Sequence, residues 1–158
     1  MAIAALVTWI ITAGFGFFML GTWISGGGTR AGGASHFRPP VVFGHFLLAA
    51  GGLVVWIIYV VNDATTLAWI AFVDLLVVAI IGDVLVIRWT KDRRGGIGGS
   101  VSATTTGRRT GSDTMTAQTS GQQLAEQRIP TPVVVVHGLF AVTTVVLVLL
   151  SALEVGGS

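Results

Sequence analysis

Two histidines in matching sequence contexts are the residues of this chain best suited to chemistry. His45 is the fifth residue after Pro40, and His137 is the fifth residue after Pro132. The segments that begin at these prolines share Pro, two Val, His, Leu and Ala in one register without a gap. The apolar composition explains the shared Val, Leu and Ala. It does not explain a repeated His in a chain that has only three, so the match predicts a duplicated two-helix hairpin.

The repeat places the two imidazoles at one depth if both segments begin helices that run in the same direction. A rise of 1.5 Å per residue puts each His about 7–8 Å from the start of its helix. Residues at helical spacing from each His are mostly small, polar or aromatic, which predicts that these faces pack against other helices rather than lipid. They are Ala49, Gly52, Trp56 and Tyr59 after His45, and Ala141, Thr144, Val148 and Ser151 after His137.

Two level imidazoles on different helices are suited to axial ligation of one haem b, provided that a planar slot separates them. Gly44 and Gly138, beside the two ligands, would make room for the porphyrin ring. The propionates would pair with nearby basic side chains. The candidates for that pairing are Arg30, Arg38 and Arg88.

Two other interpretations of His45 and His137 stay open. Each His could form a hydrogen bond with a neighbouring helix that only stabilises the bundle. Alternatively, both could form a proton or metal-ion relay with Asp83. Gly21 and Gly82 give weak further support for a repeat, because each precedes a polar residue near the end of its apolar stretch.

Asp74 and Asp83 both fall within one apolar stretch, where an ionisable group is costly and needs a reason. They are nine residues apart and therefore point to opposite sides of a helix, so they cannot share a site. Asp74 would lie level with Thr8 and Thr12 of the first stretch. An ion-coupled or proton-coupled transporter that uses the two Asp is therefore a further alternative.

Four apolar stretches are each long enough to form a membrane-spanning helix, which needs about 20 residues. The chain is 53% hydrophobic and only 10% charged, with mean hydropathy +0.83, whereas soluble domains carry about 25% charged residues. The prediction is an all-α bundle of four antiparallel transmembrane helices in up-down order, forming one domain. Trp and Tyr residues near the span ends are expected at the headgroup layer. The predicted spans are 3–24, 41–61, 67–89 and 133–153.

All nine basic residues fall in the first and third connections or at the helix ends that border them. Under the positive-inside rule, loops 25–40 and 90–130 are cytoplasmic and both termini lie outside the cell membrane. This pattern follows the ends of the spans, so a nucleic-acid partner is not expected. Residues 95–127 are rich in Gly, Ser, Thr and Gln, which predicts a disordered cytoplasmic tether.

The chain has no Cys, which excludes disulfides, thiolate metal sites and covalently attached haem. It also lacks the motifs of soluble hydrolases, so an enzyme is not expected. The leading prediction is a small integral membrane protein that serves as an accessory or interaction subunit, with a His/Asp layer near the cytoplasmic face. Its predicted surroundings are lipid and a membrane protein partner or a second copy of the chain.

The start Pro132-Val133-Val134-Val135-Val136-His137-Gly138-Leu139 and the Val, Ala and Gly texture resemble small four-helix membrane proteins of high-GC actinobacteria. That resemblance implies a fold and no activity. The paired His motifs alone resemble those of small four-helix membrane b cytochromes. The second resemblance implies a haem b cofactor with His45 and His137 as its axial ligands.

Overall fold

The computed structural model describes residues 1–30, 35–99 and 124–154. All four predicted spans are confirmed as helices, and the third is longer than predicted. Pro39 and Pro132 occupy first-turn positions, where a missing N–H leaves no intrahelical bond unmade. The helices are α1 (Ala2–Ser25), α2 (Pro39–Asn62), α3 (Thr65–Gly99) and α4 (Thr131–Ala152), and a 3-10 turn (Ala125–Arg128) precedes α4.

The four helices form a closed ring in chain order, so that each contacts two neighbours. The most extensive contacts join α1 to α4 and α2 to α3, and α1 also touches α2 while α3 touches α4. Within the described ranges, α1 has no contact with α3 and α2 has none with α4. The two histidine-bearing helices are therefore diagonal in the bundle.

By length and composition, all four helices are candidate membrane spans. Large aliphatic and aromatic side chains cover the outside of the bundle, such as Ile3, Phe17, Val61 and Leu139, each more than half exposed. A soluble monomer rarely exposes apolar patches of this extent. The chain is therefore a small integral membrane protein, and its outer surface is suited to lipid.

Two separate apolar cores lie at opposite ends of the bundle. The terminal-end core, at the end where α1 begins and α4 finishes, is centred on Trp9 and Trp56 with ring centroids 6.3 Å apart. The basic-end core is centred on Trp23 and Trp89. These four Trp and Tyr59 are buried, and among the six predicted headgroup-layer aromatics only Trp69 is exposed. The expected aromatic belt therefore serves mainly to fill the two cores, because the helices are apolar throughout and the large rings pack best inside.

The basic end is closed by a cap built from residues 35–38, 89–93 and 124–131. The Trp89 indole donates to the Glu126 carbonyl oxygen at 3.0 Å. The Arg93 guanidinium stacks on the Trp89 ring and donates to the carbonyl oxygens of Gln127 (3.1 Å) and Ile129 (2.8 Å). These contacts hold 124–127 in ordered structure, although the sequence composition assigned them to the tether. Most of that tether, 100–123, lies outside the described residues, as do 31–34 of the first connection.

Candidate functional site

His45 extends from α2 towards α3 and is bonded to the backbone of that helix. Its Nδ1 lies 3.1 Å from the Val78 carbonyl oxygen. One turn further along α3, Gly82 faces the imidazole so closely that a Cβ there would lie 3.2 Å from His45 Cε1. Gly82 is therefore the small residue that leaves space for this ring.

His137 repeats the arrangement on the opposite side of the bundle. Its Nδ1 lies 3.0 Å from the Thr12 carbonyl oxygen of α1. A Cβ on Gly16, one turn further along α1, would lie 3.4 Å from His137 Cε1. The partner carbonyl and the glycine thus have the same spacing on α1 as on α3.

In this region, each residue of α1 and its counterpart in α3 are separated by the same number of residues along the chain. It pairs Gly16 with Gly82, and it also pairs Trp23 with Trp89, both of which are buried. The sequence comparison had set Gly82 beside Gly21, but Gly21 is exposed and contacts no imidazole. The sequence repeat is therefore also seen in the structure, because equivalent residues make equivalent contacts between α2 and α3 and between α4 and α1.

The hydrogen bonds determine which nitrogen of each imidazole carries the proton. A carbonyl oxygen only accepts, so Nδ1 of both His45 and His137 must be the donor. In a neutral ring, Nε2 then presents a free lone pair. Neither Nε2 has a hydrogen-bond partner among the described residues. Metal-bound histidines commonly show this pattern, with one nitrogen fixed by a carbonyl and the other left for the metal.

The predicted inward faces of α2 and α4 are confirmed. Gly52, Trp56 and Tyr59 are the buried residues of α2. Their counterparts in the repeat, Thr144, Val148 and Ser151, are buried on α4. Both histidines therefore lie on the faces that turn towards the interior, between the two cores.

The two aspartates have different surroundings from each other and are not brought to the histidines. Asp74 is half-buried, and its Oδ2 is enclosed against Gly52, where a Cβ would collide with that oxygen. This oxygen has no hydrogen-bond partner in the described part of the chain. The hydroxyl of Thr12, one predicted neighbour of Asp74, instead donates to the Thr8 carbonyl oxygen. Asp83 is exposed and makes no hydrogen bond within the described ranges.

The other residues proposed to hold a haem are free of protein partners in the described part of the chain. Arg30, Arg38 and Arg88 are exposed and form no ion pair there. Gly44 and Gly138 have nothing within 4 Å of an added Cβ. The glycines that actually face the imidazoles are Gly16 and Gly82. Sequence reasoning missed them because the α1–α3 register depends on which helices are neighbours, although Trp23 and Trp89 would have indicated it.

The third histidine, His36, lies in the basic-end cap and has acidic neighbours. Its Nδ1 is 2.8 Å from Asp92 Oδ1, and its backbone N–H donates to Glu126 Oε1 at 2.7 Å. The hydrogen bond and the charge of Asp92 raise the pKa of His36, with a smaller contribution from the Glu126 charge. The His36 side chain is 64% exposed.

Comparison of the chain with protein-family models, with curated proteins and with solved structures finds no match.

Proposed function

We propose that this membrane protein binds one b-type haem between His45 and His137 and uses it to carry electrons. The observation that supports this most directly is the matched pair of Nδ1–carbonyl hydrogen bonds, at 3.1 and 3.0 Å, which leaves two Nε2 lone pairs unused. Bis-histidine ligation needs this tautomer on both sides of the iron. Two histidines that served only as packing would need no symmetry between their hydrogen bonds.

The position of the pair in the bundle also supports a haem. Because α2 and α4 are diagonal, ligands from these helices approach from opposite sides. Gly16 on α1 and Gly82 on α3 leave the space that the two imidazoles occupy, so that each candidate ligand is held against the helix beside it. A haem would supply one-electron redox chemistry, and the chain would supply the two ligands and their orientation.

The basic end offers cations for the propionates. Arg30, Arg38 and Arg88 are exposed there and have no carboxylate partner among the described residues. A guanidinium can bind a carboxylate through two parallel N–H groups. These three guanidiniums would be available to bind the haem propionates.

A reduced-minus-oxidised visible spectrum tests the haem. The protein is purified in mild detergent from a haem-replete host. We expect a sharp α-band that is lost in both His45→Ala and His137→Ala. His36→Ala is the matched control, because His36 is the third histidine and lies in the cap; this variant should keep the band. A featureless wild-type spectrum from folded, helical protein would contradict the proposal, as would a band that survives either substitution in the bundle.

We also propose that the basic end faces the cytoplasm, on the strength of the distribution of the nine basic residues. The chain has no Cys, so a maleimide can label only the cysteine that a single substitution introduces. Thr29→Cys lies at the basic end and Ala64→Cys at the other, and both positions are exposed. A membrane-impermeant maleimide added to intact cells should label only Ala64→Cys. Labelling of Thr29→Cys alone would reverse the orientation.

The accessory or interaction role remains a second proposal, supported by one surface feature. An open groove of about 400 Å³ is lined by Gly14 and apolar side chains of α1 together with Val133 of α4. Small residues at such positions allow close approach of another helix. Crosslinking in membranes should then find a partner or a second copy. Recovery of monomer alone would count against this role.

A further inference from the structure

Three potential metal ligands meet in the basic-end cap, away from the histidine pair. They are His36, Asp92 and Glu126, and each offers a ligand atom that lies within 4.8 Å of those of the other two. The three come from separate parts of the chain: the connection before α2, the end of α3 and the 3-10 turn before α4. Such convergence requires that the cap be folded, so it is a property of the tertiary structure rather than of any local sequence.

The surroundings of the Glu126 carboxylate are suited to binding a cation. Its side chain is fully buried, at 0% exposure. Oε1 accepts the backbone N–H of His36, but Oε2 has no hydrogen-bond partner among the residues that the structure describes. An unpaired buried carboxylate is costly, and proteins compensate for it with a counter-charge or a metal.

Asp92 presents a second unused oxygen to the same place. Its Oδ1 bonds to the His36 imidazole, while Oδ2 is buried and has no partner within the described ranges. The His36–Asp92 contact is the sole ion pair formed among the described residues. Arg93, the adjacent cation, directs its terminal N–H groups to Thr131 Oγ1 and to two backbone carbonyls rather than to either acid.

We infer that His36, Asp92 and Glu126 bind a divalent first-row transition metal, with Zn²⁺ as the representative ion. One imidazole nitrogen and two carboxylate oxygens are a ligand set of this class, whereas Mg²⁺ and Ca²⁺ prefer oxygen ligands alone. The two unused oxygens, Asp92 Oδ2 and Glu126 Oε2, supply the negative charge. Water completes the coordination, because the His36 side chain is open to solvent.

A metal at this place would act as a clamp on the basic end. It would join the connection before α2 to α3 and to the turn before α4, so that the cap closes as one unit. Because unfolded chain does not preform the site, binding free energy becomes stability of the folded cap. The site is separate from the histidine pair and does not depend on whether a haem is bound.

Zinc binding to the full-length protein in detergent tests the site. The protein is stripped with chelator and titrated with Zn²⁺ against a chromophoric competitor. We expect one site that is retained in the His45→Ala/His137→Ala double variant. His36→Ala and Asp92→Asn should each weaken binding about tenfold or more, since losing even a partner that orients a ligand costs that much.

Asp83→Asn is the matched control, because it removes a carboxylate from the same helix at an exposed position that lies outside the cluster. It should bind zinc as the wild type does. His36→Ala should fold as the wild type does, because the His36 side chain is 64% exposed and its loss leaves no cavity. Absence of zinc binding, or equal affinity in His36→Ala, Asp92→Asn and wild type, would overturn the inference.

Discussion

The α1–α4 pair and the α2–α3 pair build the histidine layer in the same way and diverge one layer nearer the chain termini. In both pairs an imidazole donates to a carbonyl of the adjacent helix and rests on a glycine one turn further along. In the next layer of the first pair, the Thr144 hydroxyl lies 3.0 Å from the Thr8 hydroxyl, with both side chains also bonded to their own helices. In the second pair the counterparts are Gly52 and Asp74, and one Asp74 oxygen has no partner.

This difference indicates that the histidine layer, and not the layer next to it, is under a constraint common to both halves. If the two halves arose from one hairpin, their sequences have diverged almost everywhere except around the histidines, the glycines and Trp23 and Trp89. Packing alone is satisfied by many combinations of apolar residues of suitable volume. The histidine layer has both the imidazole–carbonyl hydrogen bond and a glycine beside the imidazole in each half. This agreement is more specific than packing requires, and a ligand bound by both halves would explain it.

The largest effect is expected when a side chain is added to the glycines of the histidine layer. In Gly16→Leu and Gly82→Leu the new side chain must displace an imidazole that already lies within van der Waals distance of the Cβ position. Under the haem proposal, each variant should lose most of its α-band absorbance, to a similar extent, because each half supplies one ligand.

Gly14→Leu is the matched control on α1, since nothing lies within 4 Å of a Cβ at Gly14. Its spectrum should not change. A loss confined to Gly16→Leu or to Gly82→Leu would break the equivalence of the halves. An unchanged spectrum in both would remove the histidine layer as the haem site.

An intermediate effect is expected when Asp74 is replaced by Thr, its counterpart in the other half. A buried oxygen without a partner costs about 1–3 kcal/mol, and a threonine hydroxyl can bond to its own helix as Thr8 does. Asp74→Thr should therefore raise the free energy of unfolding in an SDS titration by about 1 kcal/mol or more. Asp83→Thr, at an exposed position, should change it by less than about 0.5 kcal/mol.

A destabilised Asp74→Thr variant would show that Asp74 has a partner in the membrane, such as a transported ion. Ion flux in vesicles would then show whether that partner is a transported ion or another group. If Asp74→Asn leaves flux unchanged, Asp74 has no part in transport.

The sequence was sufficient for the helices and for the inward faces of α2 and α4. Span length and the small and polar residues at helical spacing from each His depend on local periodicity, and burial of Gly52 and Thr144 follows that pattern. The headgroup role expected for Trp9, Trp23, Trp56 and Trp89 did not follow. In a bundle this short, a ring near a helix end is also near a core, and the core buries more of its surface.

The contacts between helices could not be obtained from local patterns. Whether α2 lies beside α4 or diagonal to it is set by packing, and that choice decides which carbonyl His45 reaches. The cap illustrates the same limit, because Glu126 follows a Gly- and Ser-rich segment whose composition predicts disorder. Its burial depends on distant residues, namely the Trp89 indole and the Arg93 guanidinium, which hold the turn in place.

The smallest effect is a pH dependence that belongs to one half only. The position that corresponds to His36 in the repeat is Arg128, which has no imidazole. Hydrogen bonding and charge from Asp92, with a further contribution from Glu126, raise the pKa of His36 in the folded protein above the ordinary value of 6.5. The charged pair therefore stabilises the fold fully below pH 6.5, and that contribution is lost as pH rises through the higher folded-state pKa.

Unfolding of chelator-treated protein, measured across this pH range, should show stability falling as pH rises, and the decline should be smaller in His36→Gln. The difference between the two proteins should be modest, because His36 is 64% exposed and solvent screens the pair. Arg128→Gln is the control from the other half and should keep the wild-type slope. If His36→Gln also keeps the wild-type slope, the pH dependence comes from other groups. The His36–Asp92 pair would then not be a source of different pH behaviour in the two halves. If the wild type instead gains stability as pH rises, the charged His36–Asp92 pair does not stabilise the cap.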